Sequence, residues 1–344
     1  MSRRNKPSIT PKAKIIATSM LEVMEDGREF ESLLKYEFDN IDLVDEIRIC
    51  LKEVSSIRNR PVICYVANVV KAVDVSISID DSDSLPFHEM INSLPDDTTE
   101  IDVVLVTPGG FAQQVDIFVS MLRSRFDKVG FIVLERAMSA GTIFVMSGDE
   151  IIMSGQSYIG PIDPQIRGKN GNFMPAQSLL TLIEEINTRG QEALNQGQQP
   201  RWTDLQILRE IDPMEIGHVM NASAYSIKLV MNYLADYKFR FWHHHSDGRI
   251  VTQQEKEERA NQIASLLCDH NVWKNHGHAI NREAAWDVCR LKIEHSEDIR
   301  DLDRMMRRLW ALYYWMFENM VIAKVFVSEN YCILRTGTIS NQKK

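Results

Sequence analysis

The sequence has 344 residues, of which 44% are hydrophobic and 25% are charged, as in ordinary globular proteins and unlike disordered chains. Its net charge of −9 argues against a nucleic-acid-binding surface, because such surfaces carry an excess of Lys and Arg. Five scattered cysteines without a C-x-x-C pair argue against a disulfide framework and a zinc ribbon, so we expect a reducing, cytoplasmic location.

The first part of the chain is predicted to be helical. Residues 1–14 are basic, but no apolar segment of signal-peptide length follows them. Apolar residues recur at helical spacing over residues 15–55. We therefore interpret residues 1–55 as a helical N-terminal segment that packs on the rest of the protein.

Near residue 56 the sequence changes, and β-branched runs begin to alternate with helical patterns. Four runs predict strands, at residues 61–66, 101–106, 131–134 and 150–153. Two helical patterns lie between the last three of them, at residues 112–126 and 140–146. Buried strands that alternate with helices are typical of an α/β fold with a largely parallel sheet. We assign this core to residues 56–240.

The remaining patterns are mainly helical. The predicted helices cover residues 176–192, 214–237, 252–270, 281–291 and 299–317. A Gly- and Gln-rich stretch, 190–200, predicts an exposed loop, and residues 324–335 predict a terminal strand. No apolar run reaches the roughly 20 residues that a membrane span needs. We interpret residues 241–344 as a mostly helical region that completes the core and forms an oligomer interface; its aromatic stretch 309–317 is expected to pack in that interface or against the core.

A Gly-Gly turn joins the second predicted strand to the helix that follows it. Thr107, Pro108, Gly109 and Gly110 form this junction. Glycines adopt backbone conformations closed to other residues and let a ligand approach the main chain. Their N–H groups, near a helix N-terminus, can face a developing negative charge. The junction is either an oxyanion-binding site or a tight turn without a ligand.

A serine occupies the next strand-to-helix junction. Ser139 precedes an apolar helix, and its neighbours Ala137, Ala140 and Gly141 are small. The stretch AMSAG differs by one residue from the G-x-S-x-G pattern of a nucleophile elbow, where larger neighbours would clash. Ser139 is thus a candidate nucleophile, and the Ala140 N–H is a candidate oxyanion donor. Taken alone, the serine is better explained as a helix N-cap.

The pairing of the two junctions favours a chemical role. Gly109–Gly110 and Ser139 are about 30 residues apart, the length of one βαβ unit. The carboxyl ends of successive parallel strands lie on one edge of a sheet, where ligands bind. A serine beside backbone N–H donors is the arrangement that acyl transfer requires.

At these motifs the sequence resembles the Clp-fold serine proteinases. The TPGG and AMSAGT junctions, and GPIDPQ at residues 160–165, resemble the serine dehydrogenase proteinase family, which is related to signal peptide peptidase A and the Clp proteolytic subunit. Residues 275–285 resemble the closing segment of that family. The resemblance covers roughly residues 58–292 and implies the Clp/crotonase-like superfold. It implies that Ser139 is the nucleophile and that Gly109, Gly110 and Ala140 form the oxyanion hole.

The base that would activate the serine is less evident. In the Clp proteolytic subunit a histidine follows the serine by about one βαβ unit. At the matching point this chain has Asp163, inside the GPIDPQ stretch. A Ser-His-Asp triad of that kind is therefore in doubt, and we interpret Asp163 as structural or as part of the pocket floor.

Two other residues are candidates for the base. Relatives of signal peptide peptidase A use a lysine, which must be desolvated so that its pKa falls. Lys228 lies in an apolar helical stretch and meets that description, whereas Lys169 lies in a polar loop. His276, in a His-Gly turn of the segment that the family shares, is the second candidate. The sequence does not decide between Lys228 and His276.

The sequence gives no reason to expect a metal or a cofactor. Of the adjacent histidines His243–His245, at most two could bind one metal, because consecutive side chains point in different directions. No i, i+4 histidine pair accompanies them. The sequence has no G-x-x-x-x-G-K-[ST] loop. We therefore expect an ATP-independent peptidase, in the sense that this chain does not itself bind ATP through such a loop.

Three functions are consistent with these patterns. The first is a serine endopeptidase that cleaves peptides or unfolded proteins through an acyl-enzyme on Ser139. The second is a Clp-fold scaffold that has lost its base and assembles with partners. The third is a crotonase-like acyl-CoA enzyme, which would share the oxyanion donors and would not need the serine. Because proteins of this superfold commonly form rings or trimers, the resemblance also implies a homo-oligomer.

Overall fold

The structure of the protein is a computed structural model that describes residues 15–167 and 173–337. It contains a mainly parallel sheet. The strands described are β1 (Ile15–Ala17), β2 (Tyr36–Phe38), β3 (Val62–Ala67), β4 (Glu100–Thr107), β5 (Lys128–Ala137), β6 (Glu150–Met153), β7 (Tyr158–Ile159), β8 (Gln165–Arg167), β9 (Phe173–Pro175), β10 (Glu294–His295), β11 (Ile322–Val327) and β12 (Cys332–Thr336). The main sheet has the order β10-β6-β5-β4-β3-β11-β12, and β7 pairs with the end of β5. Among the described strands of this sheet, β11 alone runs in the opposite direction, antiparallel to β3 and β12. The predicted α/β fold with a largely parallel sheet is therefore confirmed.

Helices cover both faces of this sheet. They are α1 (Met20–Val23), α2 (Glu29–Leu33), α3 (Leu43–Arg58), α4 (Ser84–Asn92), α5 (Ala112–Arg123), α6 (Ala140–Met146), α7 (Ala176–Asn195), α8 (Trp202–Glu210), α9 (Pro213–Tyr233), α10 (Gln253–Cys268), α11 (His270–Trp273), α12 (Arg282–Cys289) and α13 (Leu302–Asn319). All six residues of β3 are buried; Ile63 and Tyr65 face a core with α4–α6, α9 and α10, and Val62 and Cys64 face a second core with α3 and α13. Strand β3 is apolar without interruption because both of its faces are covered.

The chain departs from the predicted elements at several places, and helices α4 and α8 occur where no element is predicted. The single terminal strand predicted over residues 324–335 is wrong, because two strands, β11 and β12, form an antiparallel hairpin there. Helix α7 continues to Asn195, so the loop predicted from residue 190 begins later. The helical N-terminal segment also contains the short parallel pair β1 and β2, which periodicity over three residues is too short to reveal.

The aromatic helix α13 packs inside the chain. Tyr313 and Phe317 are fully buried, and the rings of Tyr314 and Trp315 contact Phe30 and Phe38 of the N-terminal segment at centroid distances of 4.6 and 6.0 Å. Of the two roles expected for this stretch, packing within the protein is the one observed, and the oligomer interface stays a prediction. Among the described residues, no helix is long and apolar enough to cross a bilayer.

A network of buried charges holds the edge of the sheet opposite the Gly-Gly and serine junctions. Arg58 donates to Asp102 Oδ2 at 2.6 Å and also pairs with Glu150. The carboxylate of Glu150 further accepts from Arg60 Nη2 at 2.6 Å and from Lys128 Nζ at 2.6 Å. Burial alone would raise the pKa of Glu150, but the hydrogen bond from Lys128 and the charges of Arg60 and Arg58 outweigh it and lower that pKa from 4.5 to about 2.

This network predicts a pH-dependent loss of stability in Glu150→Gln. Because the folded-state pKa is depressed, the contribution of the carboxylate is present above pH 4.5 and is lost as the pH falls toward 2. We expect the variant to lose about 3 kcal/mol of unfolding free energy at pH 7, and expect this difference to shrink between pH 5 and 3. Urea unfolding at several pH values measures it. Glu100→Gln is the matched control: its half-exposed carboxylate lies 3.6 Å from Arg60, and we expect a loss below about 1 kcal/mol. An equal effect of both variants at pH 7 would contradict the prediction.

Candidate active site

Ser139 lies in the turn between β5 and α6 in a strained backbone conformation. Its φ of 52° and ψ of −116° belong to a region that residues with a side chain rarely adopt. Tight packing holds the turn: a Cβ on Gly141 would lie 2.4 Å from Thr107 Cγ2, so glycine is needed for α6 to approach β4. The side chain is half-buried and makes no capping hydrogen bond to α6. A helix N-cap therefore does not account for this serine.

The Gly-Gly turn after β4 touches the serine turn directly. Gly109 and Gly110 have φ values of 107° and 151°. A Cβ on Gly109 would lie 2.8 Å from Met138 O and 2.9 Å from Ser139 Cβ. Any other residue at position 109 would thus force the two turns apart. The juxtaposition of these junctions on one edge of the sheet agrees with the spacing argument from the sequence.

The backbone N–H groups of these turns differ in their partners. The N–H of Gly109 donates to Thr107 Oγ1 at 3.1 Å, so it is not free to bind an oxyanion. The N–H groups of Gly110 and Ala140 have no acceptor among the residues that the structure describes. Three residues were expected to form the oxyanion hole. Gly109 instead allows the Gly-Gly turn to contact the serine turn, and Gly110 and Ala140 carry the N–H donors that remain available.

The GPIDPQ stretch is fastened beside the serine turn. Its preceding strand, β7, pairs Ile159 with Ala137 at the end of β5. Thr142 Oγ1, one turn into α6, lies 2.8 Å from Gly160 O and accepts from Gly160 N–H at 2.9 Å. A Cβ on Gly160 would lie 2.5 Å from the Met138 side chain, so the glycine allows this close packing. The chain then runs through Pro161 and Ile162 to Asp163.

His276 joins this region through a hydrogen bond to Asp163. Its Nδ1 lies 2.9 Å from Asp163 Oδ1, and the aspartate is 1% exposed against 15% for the histidine. The backbone brings them together, because Ile280 exchanges hydrogen bonds of 3.0 and 2.8 Å with Ile159. Residues 276–280 are thereby tied to the strand that is paired with the end of β5. The other ring nitrogen, Nε2, has no partner within residues 15–167 and 173–337.

A second histidine lies near the same carboxylate. His270 Nδ1 is 3.7 Å from Asp163 Oδ2, which is too long for a hydrogen bond, and this buried oxygen has no other partner in the described part of the chain. Burial raises the pKa of the nearby Cys268 thiol to about 12, and the charge of Asp163 adds to the shift. Cys268 is therefore a neutral thiol at physiological pH and does not compete with the serine as a nucleophile.

Lys228 does not meet the condition that made it a candidate. A catalytic lysine must be desolvated, but Lys228 is on an exposed position of α9 and makes no ion pair or hydrogen bond with the described residues. Its assignment as the base is corrected on that ground. Lys169 lies outside the described residues. Among the three adjacent histidines, His245 Nε2 lies 3.2 Å from Glu255 Oε1, and no cluster of three metal-ligating side chains occurs in the part of the chain that the structure describes.

The partnership of Asp163 and His276 is not predicted by the sequence patterns. The sequence indicates His276 as a candidate base and Asp163 as structural or as part of the pocket floor, with no link between them. A signal was present: a carboxylate in the apolar stretch Gly160–Pro164 must be buried with a polar partner, because an unpaired buried charge is costly. The sequence alone could not name that partner, since the two residues are more than 100 positions apart.

Residues 33–194, which include both turns and Asp163, match the sequence model of a family described as ClpP-like SDH-type serine proteinase. The predicted resemblance to this family is confirmed. The matched family is thus one of serine proteinases, and its segment carries the Gly-Gly turn and Ser139 but not His276.

Two curated relatives are uncharacterized proteins of Methanocaldococcus jannaschii. One is 30% identical over 141 residues, which cover 39% of this chain and 46% of the relative. The other is 31% identical over 135 residues, which cover 38% and 44%. The chain therefore spans less than half the length of these relatives.

Solved structures with some likeness to the chain are also proteases. Two variants of the 1510-N membrane-bound stomatin-specific protease, one in complex with a substrate peptide, are each 15% identical, with TM-scores of 0.36 and 0.37. The alignments cover 63% and 65% of this chain and 70% and 78% of theirs. ClpP1 from Listeria monocytogenes is 14% identical with a TM-score of 0.25, over 40% of this chain and 72% of its own.

Proposed function

We propose that the protein is a serine peptidase whose nucleophile is Ser139, with His276 as general base and Asp163 as the group that orients the base. The observation that carries this proposal is the strained conformation of Ser139 in direct contact with the Gly109 turn. Strain of this kind costs about 1–3 kcal/mol and persists where the surrounding packing imposes it, commonly at active sites. The buried hydrogen bond between His276 and Asp163 supports the choice of base.

The proposed reaction uses the ordinary chemistry of acyl transfer. Ser139 Oγ attacks the carbonyl carbon of a peptide bond while His276 Nε2 takes the hydroxyl proton. The N–H groups of Gly110 and Ala140 stabilise the oxyanion of the tetrahedral intermediate. His276 then gives the proton to the leaving amine, and an ester on Ser139 remains. A water molecule, deprotonated by the same histidine, hydrolyses that ester and regenerates the serine.

Asp163 has a defined part in this reaction. Its Oδ1 accepts the Nδ1 proton of His276, which leaves Nε2 unprotonated and able to act as a base. The carboxylate also stabilises the imidazolium that forms after proton transfer, and its burial strengthens that interaction because water is excluded. The order of the three groups along the chain is Ser139, Asp163, His276, the order also found in α/β-hydrolases.

The alternative functions make different use of these residues. A scaffold without catalysis was favoured by the lack of a base, and the His276–Asp163 pair removes that reason. An acyl-CoA enzyme of the crotonase type would use the Gly110 and Ala140 donors but would not need a strained serine.

Peptide or unfolded-protein substrates, self-association and a cytoplasmic location stay predictions. The exposed side chains of Trp202, Met214 and Met220 on α8 and α9 would favour self-association.

A fluorophosphonate probe tests the proposal, because it phosphonylates a serine only when a base and an oxyanion hole activate it. We expect wild-type protein to be labelled and peptide mass spectrometry to locate the adduct on Ser139. Ser139→Ala should not be labelled. Ser120→Ala, which removes an exposed serine of α5, should be labelled like the wild type. A folded wild type that remains unlabelled would overturn the peptidase in favour of the scaffold, and label that persists in Ser139→Ala would overturn the choice of nucleophile.

A further inference from the structure

A lysine is buried in β11, far along the chain from the segment that matches the proteinase family. Lys324 is 1% exposed, although its neighbours on the strand are apolar. Its Nζ lies 2.6 Å from Ser78 O, 2.9 and 2.8 Å from the two carboxylate oxygens of Asp83, and 3.3 Å from Asp80 Oδ2. A buried ammonium is tolerated only with such compensation. Its side-chain hydrogen-bond partners all fall within residues 78–83, in the connection between β3 and α4.

Lys324 is not a candidate for the general base. An ammonium group has three N–H donors, and three residues accept from this one. An ammonium group whose N–H donors are engaged in this way has no lone pair with which to take a proton. The lysine must therefore act on its surroundings as a cation and a hydrogen-bond donor.

The segment that Lys324 holds is the one that supports the Gly-Gly turn. Ile79, flanked by the contact residues Ser78 and Asp80, donates to Gly109 O at 2.8 Å and accepts from Phe111 N–H at 2.9 Å. These two bonds clamp the backbone on both sides of Gly110. A Cβ on Gly110 would lie 2.2 Å from Ile79 O and 2.5 Å from Ile79 N, so the two backbones are in contact. The direction of the Gly110 N–H is thus set by the position of Ile79.

Asp83 completes the support from the other side of the lysine. Besides Lys324, its Oδ2 accepts from the hydroxyl of Tyr65 at 2.8 Å and from the N–H of Asp80 at 3.1 Å. Tyr65 is itself fully buried in β3, the strand next to β4. The ion pair therefore ties the 78–83 connection to two strands of the rigid sheet, and loss of the pair would release Ile79 from that anchor.

We propose that Lys324 is a positioning residue for the oxyanion-binding N–H of Gly110, acting through the backbone of residues 78–80. This inference rests on the proposed serine peptidase activity and adds to it a residue outside residues 33–194. It assigns to the β11–β12 hairpin a role in transition-state stabilisation. The lysine touches neither the substrate nor Ser139 in this role.

The test compares Lys324→Met with wild type in two measurements on the full-length chain. The first is the rate constant of fluorophosphonate labelling at Ser139. The second is steady-state hydrolysis of a fluorogenic peptide, which gives kcat and KM. It also gives the inhibition constants of a peptide aldehyde, whose adduct with the serine resembles the tetrahedral intermediate, and of the product peptide, which does not resemble it. Displacing an oxyanion donor should reduce the catalytic rate somewhat less than deleting it would. We therefore expect the labelling rate constant and kcat to fall about 10- to 100-fold. KM and the product-peptide constant should change less than about threefold, while the aldehyde weakens in parallel with kcat/KM.

Controls separate this role from a purely structural one. Lys71→Met removes a lysine from the same connection, where Nζ donates to Glu318 O, and should leave all constants unchanged. Should Lys324→Met not fold, Lys324→Met/Asp83→Asn removes both charges and is tested instead. A folded variant with lowered thermal stability but wild-type kcat and aldehyde affinity would overturn the role of Lys324 while the peptidase stands. Wild-type protein that is not labelled would overturn both.

Discussion

Replacing Asp163 by asparagine is expected to lower kcat for peptide hydrolysis about 10⁴-fold, with little change in KM. The carboxylate accepts the Nδ1 proton of His276 over 2.9 Å and so fixes the tautomer whose Nε2 is a base. An amide at position 163 can donate to Nδ1 instead, which moves the imidazole proton to Nε2 and removes the lone pair that Ser139 needs. The side-chain volume is unchanged, so the fold should persist.

The measurement is steady-state hydrolysis of a fluorogenic peptide, with circular dichroism and urea unfolding to verify the fold. Asp269→Asn is the matched control, because Asp269 caps α11 beside the site and touches neither His276 nor Ser139. It should keep both its stability, because asparagine caps a helix as well as aspartate does, and its activity. If Asp163→Asn retained more than a tenth of the wild-type kcat, Asp163 would be structural, as its sequence alone suggested.

Regular elements of this chain could be predicted because their signals are local. Helix α6 was predicted with its observed bounds, Ala140–Met146, and β6 likewise as Glu150–Met153. In both cases a continuous apolar run is bounded by polar or small residues, and both faces of the element are buried. The hairpin of β11 and β12 was missed because its turn, near Asn330, interrupts two runs that each satisfy a strand pattern.

The candidate site also has one part that local sequence signals predict and one part that they do not. Gly109–Gly110 and Ser139 stand at successive strand ends, so the order of a parallel sheet was enough to bring them together. Asp163 and His276 lie close together where Ile159 pairs with Ile280, a contact between distant segments that no periodicity records. Lys228 was misjudged for a related reason. Its apolar neighbours indicate a buried helix face, but the side chain itself lies on the exposed face of α9.

The candidate machinery therefore draws on two parts of the chain. The proposed nucleophile, the proposed oxyanion donors and Asp163 lie in the segment that matches the proteinase family, residues 33–194. The proposed base and the lysine that supports the Gly-Gly turn come from the C-terminal third, at positions 276 and 324. Truncation after the matched segment would remove the proposed base, so we expect that segment by itself to be inactive.

His276→Gln and His270→Gln form the second decisive comparison, because both histidines lie near Asp163 and only one is hydrogen-bonded to it. His276 Nδ1 is 2.9 Å from the carboxylate and His270 Nδ1 is 3.7 Å from it. Glutamine can replace an imidazole hydrogen bond but cannot take a proton at neutral pH. We expect kcat to fall about 10³- to 10⁴-fold in His276→Gln, and less than about 10-fold in His270→Gln.

The rate of fluorophosphonate labelling at Ser139 should follow the same order, since proton removal from the hydroxyl precedes attack on phosphorus. A Ser139→Ala/His276→Gln double variant should be no slower in peptide hydrolysis than Ser139→Ala alone, because groups that act as a unit lose their effect together. The reverse order of the two histidine variants would assign the base to His270. Equal, small effects in both would mean that neither histidine activates the serine, and that the Asp163 pair serves the packing of residues 160–164 against α10 and α11.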